Sequence, residues 1–380
     1  MTKLEATVAL TKLIAPKNRE PVKIRESLLT YSQEDWQEII DIANSDLLAP
    51  LLYKSLQEKK LFTLIEDETL KEYLKEFYHL NETRNIAILK QLEEICSILE
   101  TIDVKPTLLK GSAALSEGHY KSIGERVMLD IDFYVGDEKI YECIDLLKQH
   151  GYKEIESDNE LSLNWHHYRK MYRNDVATSI EIHRLLLKEK SLQYFLKTTE
   201  HELYLQSSKF TNASVLKPTY ELYYSFLHTE ISHFYYEHKH LSIRHMQHFN
   251  VIWHKYEADI QFEYLHDLAQ SSGIGQIWND YLTVQNYFYD LGTPAEQSDY
   301  LHAVQKKINN KNRKLLQIQT LYKMLEGSIG YSNLRKHYNF KSKFLMPFLV
   351  PYHLFKLLYS YSINQEKRKK IFKIASTFIK

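Results

Sequence analysis

Leu109-Lys110-Gly111-Ser112, followed by Val127-Met128-Leu129-Asp130-Ile131-Asp132-Phe133-Tyr134-Val135, is the pair of motifs that decides how this chain folds. Both lie within Lys105 to Val135. Pro106-Thr107-Leu108-Leu109 reads as an apolar strand that breaks at Lys110-Gly111-Ser112, and Ala113 to Gly118 carries a short helical pattern. From Val127 to Val135 the alternation is strict. Val127, Leu129, Ile131, Phe133 and Val135 share one face, and Met128, Asp130, Asp132 and Tyr134 share the other. Residues two apart in a strand point the same way, with Cα atoms roughly 6–7 Å apart. The two carboxylates can therefore grip one divalent ion, or two ions about 3.5–4 Å apart. The apolar face fixes the register, because a slip of one residue would bury both acids.

Asp-x-Asp alone is common and mostly marks a solvated strand edge, but three companions give it weight here. Gly111-Ser112 stands where a strand passes into a helix; free backbone N–H groups there suit a phosphate, and glycine lets it come close. Lys110 and Arg126 can offset triphosphate charge. A third acid, Glu181, lies in Thr178-Ser179-Ile180-Glu181-Ile182-His183, with Ile180 and Ile182 on one face and Glu181 and His183 on the other. Asn174-Asp175 before it reads as a hairpin turn, with residues 161–173 as the first arm.

Together these residues resemble the DNA polymerase β-like nucleotidyltransferase superfamily, and within it a poorly characterised bacterial family of nucleotidyltransferases. Members of that branch carry Leu-Lys-Gly, an Arg four residues before Asp-Ile-Asp, and then Glu-x-His. The matching residues are Leu109-Lys110-Gly111, Arg126, Asp130-Ile131-Asp132 and Glu181-Ile182-His183. The likeness covers roughly residues 75–290. Leu129 stands where many superfamily members carry Ser, and Asp130 follows Ser112 by 18 positions, a longer gap that fits the branch.

The resemblance implies an α+β fold, a small mixed sheet flanked by N-terminal and C-terminal helical regions. It implies transfer of a nucleoside monophosphate from a nucleoside triphosphate to a hydroxyl of an acceptor. A small molecule, peptide or protein is favoured over nucleic acid as that acceptor. Asp130, Asp132 and Glu181 would bind Mg²⁺ or Mn²⁺, with Glu181 also helping to deprotonate the acceptor hydroxyl. Gly111 and Ser112 would hold the β- and γ-phosphates, with Lys110 and Arg126 compensating charge. His183 and Arg244 are further candidate contacts to nucleotide or acceptor. Two other classes stay open: a non-catalytic nucleotide-binding or regulatory module of the same fold, and a histidine-based metallohydrolase.

The rest of the chain frames this segment. At 380 residues two or three units are expected. The expected boundaries are 1–100 for an N-terminal helical region, 101–190 for the nucleotidyltransferase-like core, 191–330 for a helical domain and 331–380 for a basic tail. Lys+Arg and Asp+Glu both number 49, so net charge points to neither nucleic acid nor membrane. With 10 Gly and 8 Pro among many Leu, Ile, Lys and Glu, the composition favours helix. Cys96 and Cys143 sit alone on apolar helical faces, as buried thiols of a reducing compartment, which places the protein in the cytoplasm. No signal-peptide pattern and no apolar run long enough to span a bilayer is present.

Before the central segment, Ser32 with Asp35 forms an N-cap pattern ahead of Trp36, Ile39 and Ile40. Pro50 is expected to kink or split a periodic stretch from Leu47 to Leu56. A long helix is expected over Glu68 to Glu100, with Leu89, Leu92, Ile95, Cys96 and Leu99 packed on the sheet. After it, Ile140, Cys143, Ile144 and Leu147 form a helical face ended by Gly151. From about Leu185 the pattern is helical again. His228, His233, His238, His240, His245, His248 and His254 crowd one interval, but their spacing suits packing or solvation better than a metal. Beyond Tyr331 the only acid is Glu366 among many basic residues, so the tail is a candidate for an anionic surface.

Overall fold

The computed structural model describes residues 1–17, 26, 28–155, 166–195 and 204–310. The basic tail lies outside the described residues, as do 161–165 of the first hairpin arm.

The chain opens with three helices: α1 (Lys3–Ile14), α2 (Gln33–Ser45) and α3 (Ala49–Glu58). Ser32 caps α2 as expected: its hydroxyl accepts from Asp35 N–H, and the Asp35 carboxylate accepts from Ser32 N–H at 3.0 Å. Pro50 does not split a helix. It sits in the first turn of α3, where its missing N–H costs nothing, and the break falls at Leu47, whose φ is +59°. The long helix α4 spans Glu68–Glu100, capped by the Asp67 carboxylate accepting from Thr69 N–H at 2.8 Å.

The mixed core follows: β1 (Thr107–Leu108), α5 (Lys110–Ser116), β2 (Asp130–Tyr134), α6 (Ile140–Gln149), β3 (Lys153–Glu154), β4 (Met171–Tyr172), β5 (Ser179–His183), α7 (Glu189–Phe195), β6 (Leu205–Ser207) and β7 (Ser214–Leu216). The remaining helices are α8 (Pro218–Phe226), which continues into a π-helical segment Leu227–Ser232, then α9 (Tyr235–His238), α10 (Ile243–Lys255), α11 (Phe262–Ser271), α12 (Gly275–Tyr289) and α13 (Asp299–Asn310).

The fold is α+β, with one seven-stranded mixed sheet in the order β3-β4-β5-β2-β1-β7-β6. The hairpin read around Asn174-Asp175 is present, with β4 antiparallel to β5 and Met171 paired to Ile180. The strand read from Val127 to Val135 is shorter than expected, and Leu129 is 55% exposed rather than on the apolar face. Pairing with β5 begins only at Asp130 opposite Ser179, so Leu129 lies before the ladder, its carbonyl accepting from Thr178 Oγ1 at 2.7 Å. The stretch after Leu185 is not helical throughout. β6 and β7 add a sheet edge, β7 running parallel to β1. Three-residue strands with Ser and Gln among their residues carry too little apolar alternation to declare themselves.

The two faces of the sheet are unlike. Ile131 and Phe133 of β2 and Ile180 and Ile182 of β5 lie in one apolar core with Leu92, Ile95, Cys96 and Leu99 of α4 and Ile140, Cys143, Ile144 and Leu147 of α6. Gly151 ends the α6 turn at φ +86°. Both cysteines are buried free thiols. The opposite face of the sheet carries the acids and looks toward α8 and α10. No helix among the described residues is long and apolar enough to cross a membrane.

Candidate active site

β2 and β5 run parallel, with Asp132 opposite Glu181 and Tyr134 opposite His183. Side chains two apart share a face, so Asp130, Asp132, Glu181 and His183 all project from the polar side of the sheet. Asp132 is the centre of the group. Its Oδ1 accepts from Lys110 Nζ at 2.8 Å and from His183 Nε2 at 3.0 Å. Lys170 Nζ lies 2.6 Å from Asp130 Oδ2 and 3.1 Å from Glu181 Oε1. Two ammonium groups thus sit among three carboxylates.

Burial opposes the charge on Asp132, but Lys110 and the His183 hydrogen bond outweigh it and hold its carboxyl well below the ordinary value. Asp130 and Glu181 move the other way. Burial raises both, and the neighbouring Asp132 adds to each. Burial lowers His183 to about 4, so its imidazole is neutral at pH 7.

The turn between β1 and α5 brings Lys110 to this cluster. Lys110 has φ +52°, a left-handed conformation that a non-glycine residue adopts at a cost and that recurs at functional sites. Gly111 follows in close packing: a Cβ there would lie 2.5 Å from Met128 Sδ and 3.3 Å from Arg126 Nε, so both side chains would have to shift. Ser112 lies behind the corner. Its Oγ accepts from Asp132 N–H at 2.9 Å, tying the corner to β2, while its own N–H goes to Leu109 O at 3.0 Å.

A cleft opens over these groups. Lys110, Gly111, Leu129, Asp130 and Asp132 line it on the sheet side, and Arg126 and Arg244 also line it. On the helical side it is lined by Glu221, Tyr224, Ser225, His228, His245 and His248. Arg126 is 8% exposed; Nη1 donates to Tyr120 Oη at 3.1 Å, and Nε has no partner. Arg244 Nη2 donates to Val127 O at 2.8 Å. Burial, and next to it the charge of Arg126, lowers Arg244 to about 10. His183 stands apart from the cleft wall, fully buried behind Asp132.

The donor set fits a divalent cation. Ligand atoms of Asp132, Glu181 and His183 lie within 4.8 Å of one another, and Lys170 Nζ already occupies a cation position between Asp130 and Glu181. Among the described residues this is the one group with metal-ligating geometry; it includes none of the histidines of 228–254. Lys170, Glu221 and Tyr224 escaped the reading of the sequence. Lys170 was within reach of it, because a hairpin turning at Asn174-Asp175 with Met171 opposite Ile180 sets Lys170 opposite Glu181. Glu221 and Tyr224 lie far along the chain in an ordinary helical pattern.

A mixed sheet with an acidic pair on its central strand, a third carboxylate on the parallel neighbour and a glycine corner beside them defines the nucleotidyltransferase class. A family model described as "Uncharacterised nucleotidyltransferase" matches residues 32–290, and the chain belongs to that family. No curated protein and no solved structure matches the chain.

Proposed function

We propose that this protein transfers a nucleoside monophosphate from a nucleoside triphosphate to an acceptor hydroxyl, using Mg²⁺ or Mn²⁺, in the cytoplasm. One observation carries the reading. Arg126 and Arg244 face a cleft together, and among the described residues neither forms an ion pair, while Asp130 and Asp132 line the sheet side of the same cleft. Two guanidinium groups beside one cleft without an ion pair suit an anion, and carboxylates bridged by the Lys170 ammonium suit a divalent ion in its place. A metal-bound triphosphate supplies both.

Asp130, Asp132 and Glu181 would hold the metal, and His183 would keep Asp132 oriented through their hydrogen bond. When bound, the ion neutralises triphosphate charge and polarises the phosphorus under attack. Arg126 and Arg244 hold phosphate oxygens on the cleft wall, and Lys110 adds charge from the corner. Gly111 lines the cleft beside Lys110. The acceptor oxygen attacks the α-phosphorus and pyrophosphate departs.

Calorimetric titration of each nucleoside triphosphate with Mg²⁺ tests the reading. At least one should bind, and Arg126→Ala should weaken it by about 10-fold or more, as expected for a charge-assisted contact. Equal binding by that variant, or binding that ignores Mg²⁺, overturns the assignment.

A further inference from the structure

The helical wall of the cleft carries a group of side chains that phosphate and metal binding leave unused. Glu221 on α8 is buried, and both of its oxygens lie 2.9 Å from His119 Nε2. His248 on α10 approaches from another side, with Nε2 3.9 Å from Glu221 Oε1. The two imidazole rings lie 6.2 Å apart and nearly parallel at 29°. Tyr256 Oη closes the group behind, 3.4 Å from His119 Nδ1. A carboxylate facing His248 Nε2 favours the tautomer that carries its proton there, which leaves the Nδ1 lone pair free.

That Nδ1 is buried and has no hydrogen-bond partner, and the same holds for the hydroxyl of Tyr224. Both residues line the cleft; Tyr224 is 3% exposed and His248 5%. A buried polar atom without a partner is costly, so its persistence calls for an explanation. Trp36 Nε1 and Trp278 Nε1 are also unpartnered, but each sits within a separate apolar core. His248, Tyr224 and Arg126, each with such an atom, line the same cleft as Asp130 and Asp132. The π-helical segment that interrupts the run after α8 carries His228, whose ring stacks on Tyr224 with centroids 5.8 Å apart. Such interruptions gather at functional sites.

We propose that this wall is the acceptor subsite, that it takes a small molecule bearing several hydroxyl groups, and that His248 Nδ1 accepts the proton of the attacking hydroxyl. The proposal rests on the nucleotidyl-transfer reading. The acceptor oxygen forms a bond to the α-phosphorus. The bond from that phosphorus to the bridging oxygen breaks, and pyrophosphate leaves with the electron pair. The proton passes to His248, and Glu221 stabilises the imidazolium that results, as a carboxylate does behind a general-base histidine. The size of the acceptor follows from burial: with Tyr224 3% and His248 5% exposed, this wall suits a small molecule better than a polypeptide. Its chemistry follows from the lining, where Tyr224, Ser225, His228, His245 and His248 offer hydroxyls and neutral rings on two helices at once.

The test reads pyrophosphate release from the four nucleoside triphosphates with Mg²⁺, in the presence of a panel of sugars, cyclitols and small amino alcohols. Wild-type protein should respond to at least one panel member. His248→Gln should lower kcat by about 10²–10³-fold with triphosphate affinity unchanged. Tyr224→Phe removes only a hydroxyl without a partner, so it should keep the melting temperature and raise the KM for the panel compound about 5-fold or more. The proposal is overturned if triphosphate binds and no panel member elicits release. It is equally overturned if only a polypeptide or RNA serves, or if either variant behaves as wild type. Absence of triphosphate binding to the wild type is a different result, and it refutes nucleotidyl transfer itself.

Discussion

Lys170 holds two carboxylates at once, Asp130 at 2.6 Å and Glu181 at 3.1 Å, and any divalent ion entering between them must displace it. Its side chain is 42% exposed, so it has solvent to move into. Lys170→Met leaves the buried Glu181 and the partly buried Asp130 without the ammonium group that bridges them. The variant should melt lower than wild type without metal and show a larger rise in melting temperature on adding Mn²⁺; an equal rise in both proteins would contradict this. Glu230 offers a pH test away from the site. Burial alone pushes its carboxyl from 4.5 up to about 8. The folded state therefore binds a proton that the unfolded state has already lost, and stability falls as pH rises from about 4.5 to 8. Glu230→Gln should flatten that fall, matching wild type at pH 5 and exceeding it at pH 8 in thermal melts. Sequence made Asp130, Asp132 and Glu181 legible because strict alternation states which face each occupies. Glu221, Tyr224 and His248 could not be read that way, since their meaning comes from a cleft closed by segments about a hundred residues apart.

At the scale of elements, α4 does more than supply an apolar stripe. Asn81 Nδ2 donates to Gly124 O at 2.8 Å and Arg126 O at 2.9 Å, and Asn85 Nδ2 donates to Ile123 O at 2.6 Å and Arg126 O at 2.7 Å. Arg84 donates to Met128 O, and Gln91 Nε2 to Thr178 O at 2.9 Å. These polar residues recur at helical spacing beside the apolar stripe and hold the loop that delivers Arg126 and the approach to β5. Gly124 belongs to the same contact: a Cβ there would lie 2.7 Å from the Tyr78 ring. Asn85→Ala removes the Nδ2 donor to Ile123 O and one of the two donors to Arg126 O, at a cost of about 1–3 kcal/mol. It should lower the melting temperature and weaken triphosphate binding together, because the freed loop carries Arg126; a melt identical to wild type would count against this role. The limits of α4 were readable from its apolar period. Its polar stripe was not, because buried Asn and exposed Asn look alike in a sequence.

At the scale of the molecule, the first helices and the last described ones share one core. Leu10, Leu13 and Ile14 of α1 pack in the same apolar cluster as Ile39 and Ile40 of α2, Ile243 and Met246 of α10, Phe288 of α12 and Val304 of α13. Gln247 Nε2 donates to Ile14 O at 3.1 Å, and Leu4 N–H to Asn309 Oδ1 at 3.2 Å. Fully burying a Leu or Ile contributes about 1.5–3 kcal/mol, and a domain is stable by only about 5–15 kcal/mol. Deleting residues 1–14 should therefore unfold far more than the N-terminal helices. Circular dichroism should show loss of cooperative melting, whereas a retained transition near the wild-type temperature would contradict the shared core. Composition and periodicity reveal helices but not which distant helices meet, so this closure was not legible before the structure.

The most direct test of the central claim follows the α-phosphate. Each nucleoside triphosphate labelled at that position is incubated with Mg²⁺, the protein and a small-molecule extract, and the label and pyrophosphate are both measured. The account predicts release of pyrophosphate with label transferred to an acceptor, and loss of both in Asp130→Asn with the fold intact. Undiminished transfer by that variant, or release of inorganic phosphate with the label left on a nucleoside diphosphate, would contradict it.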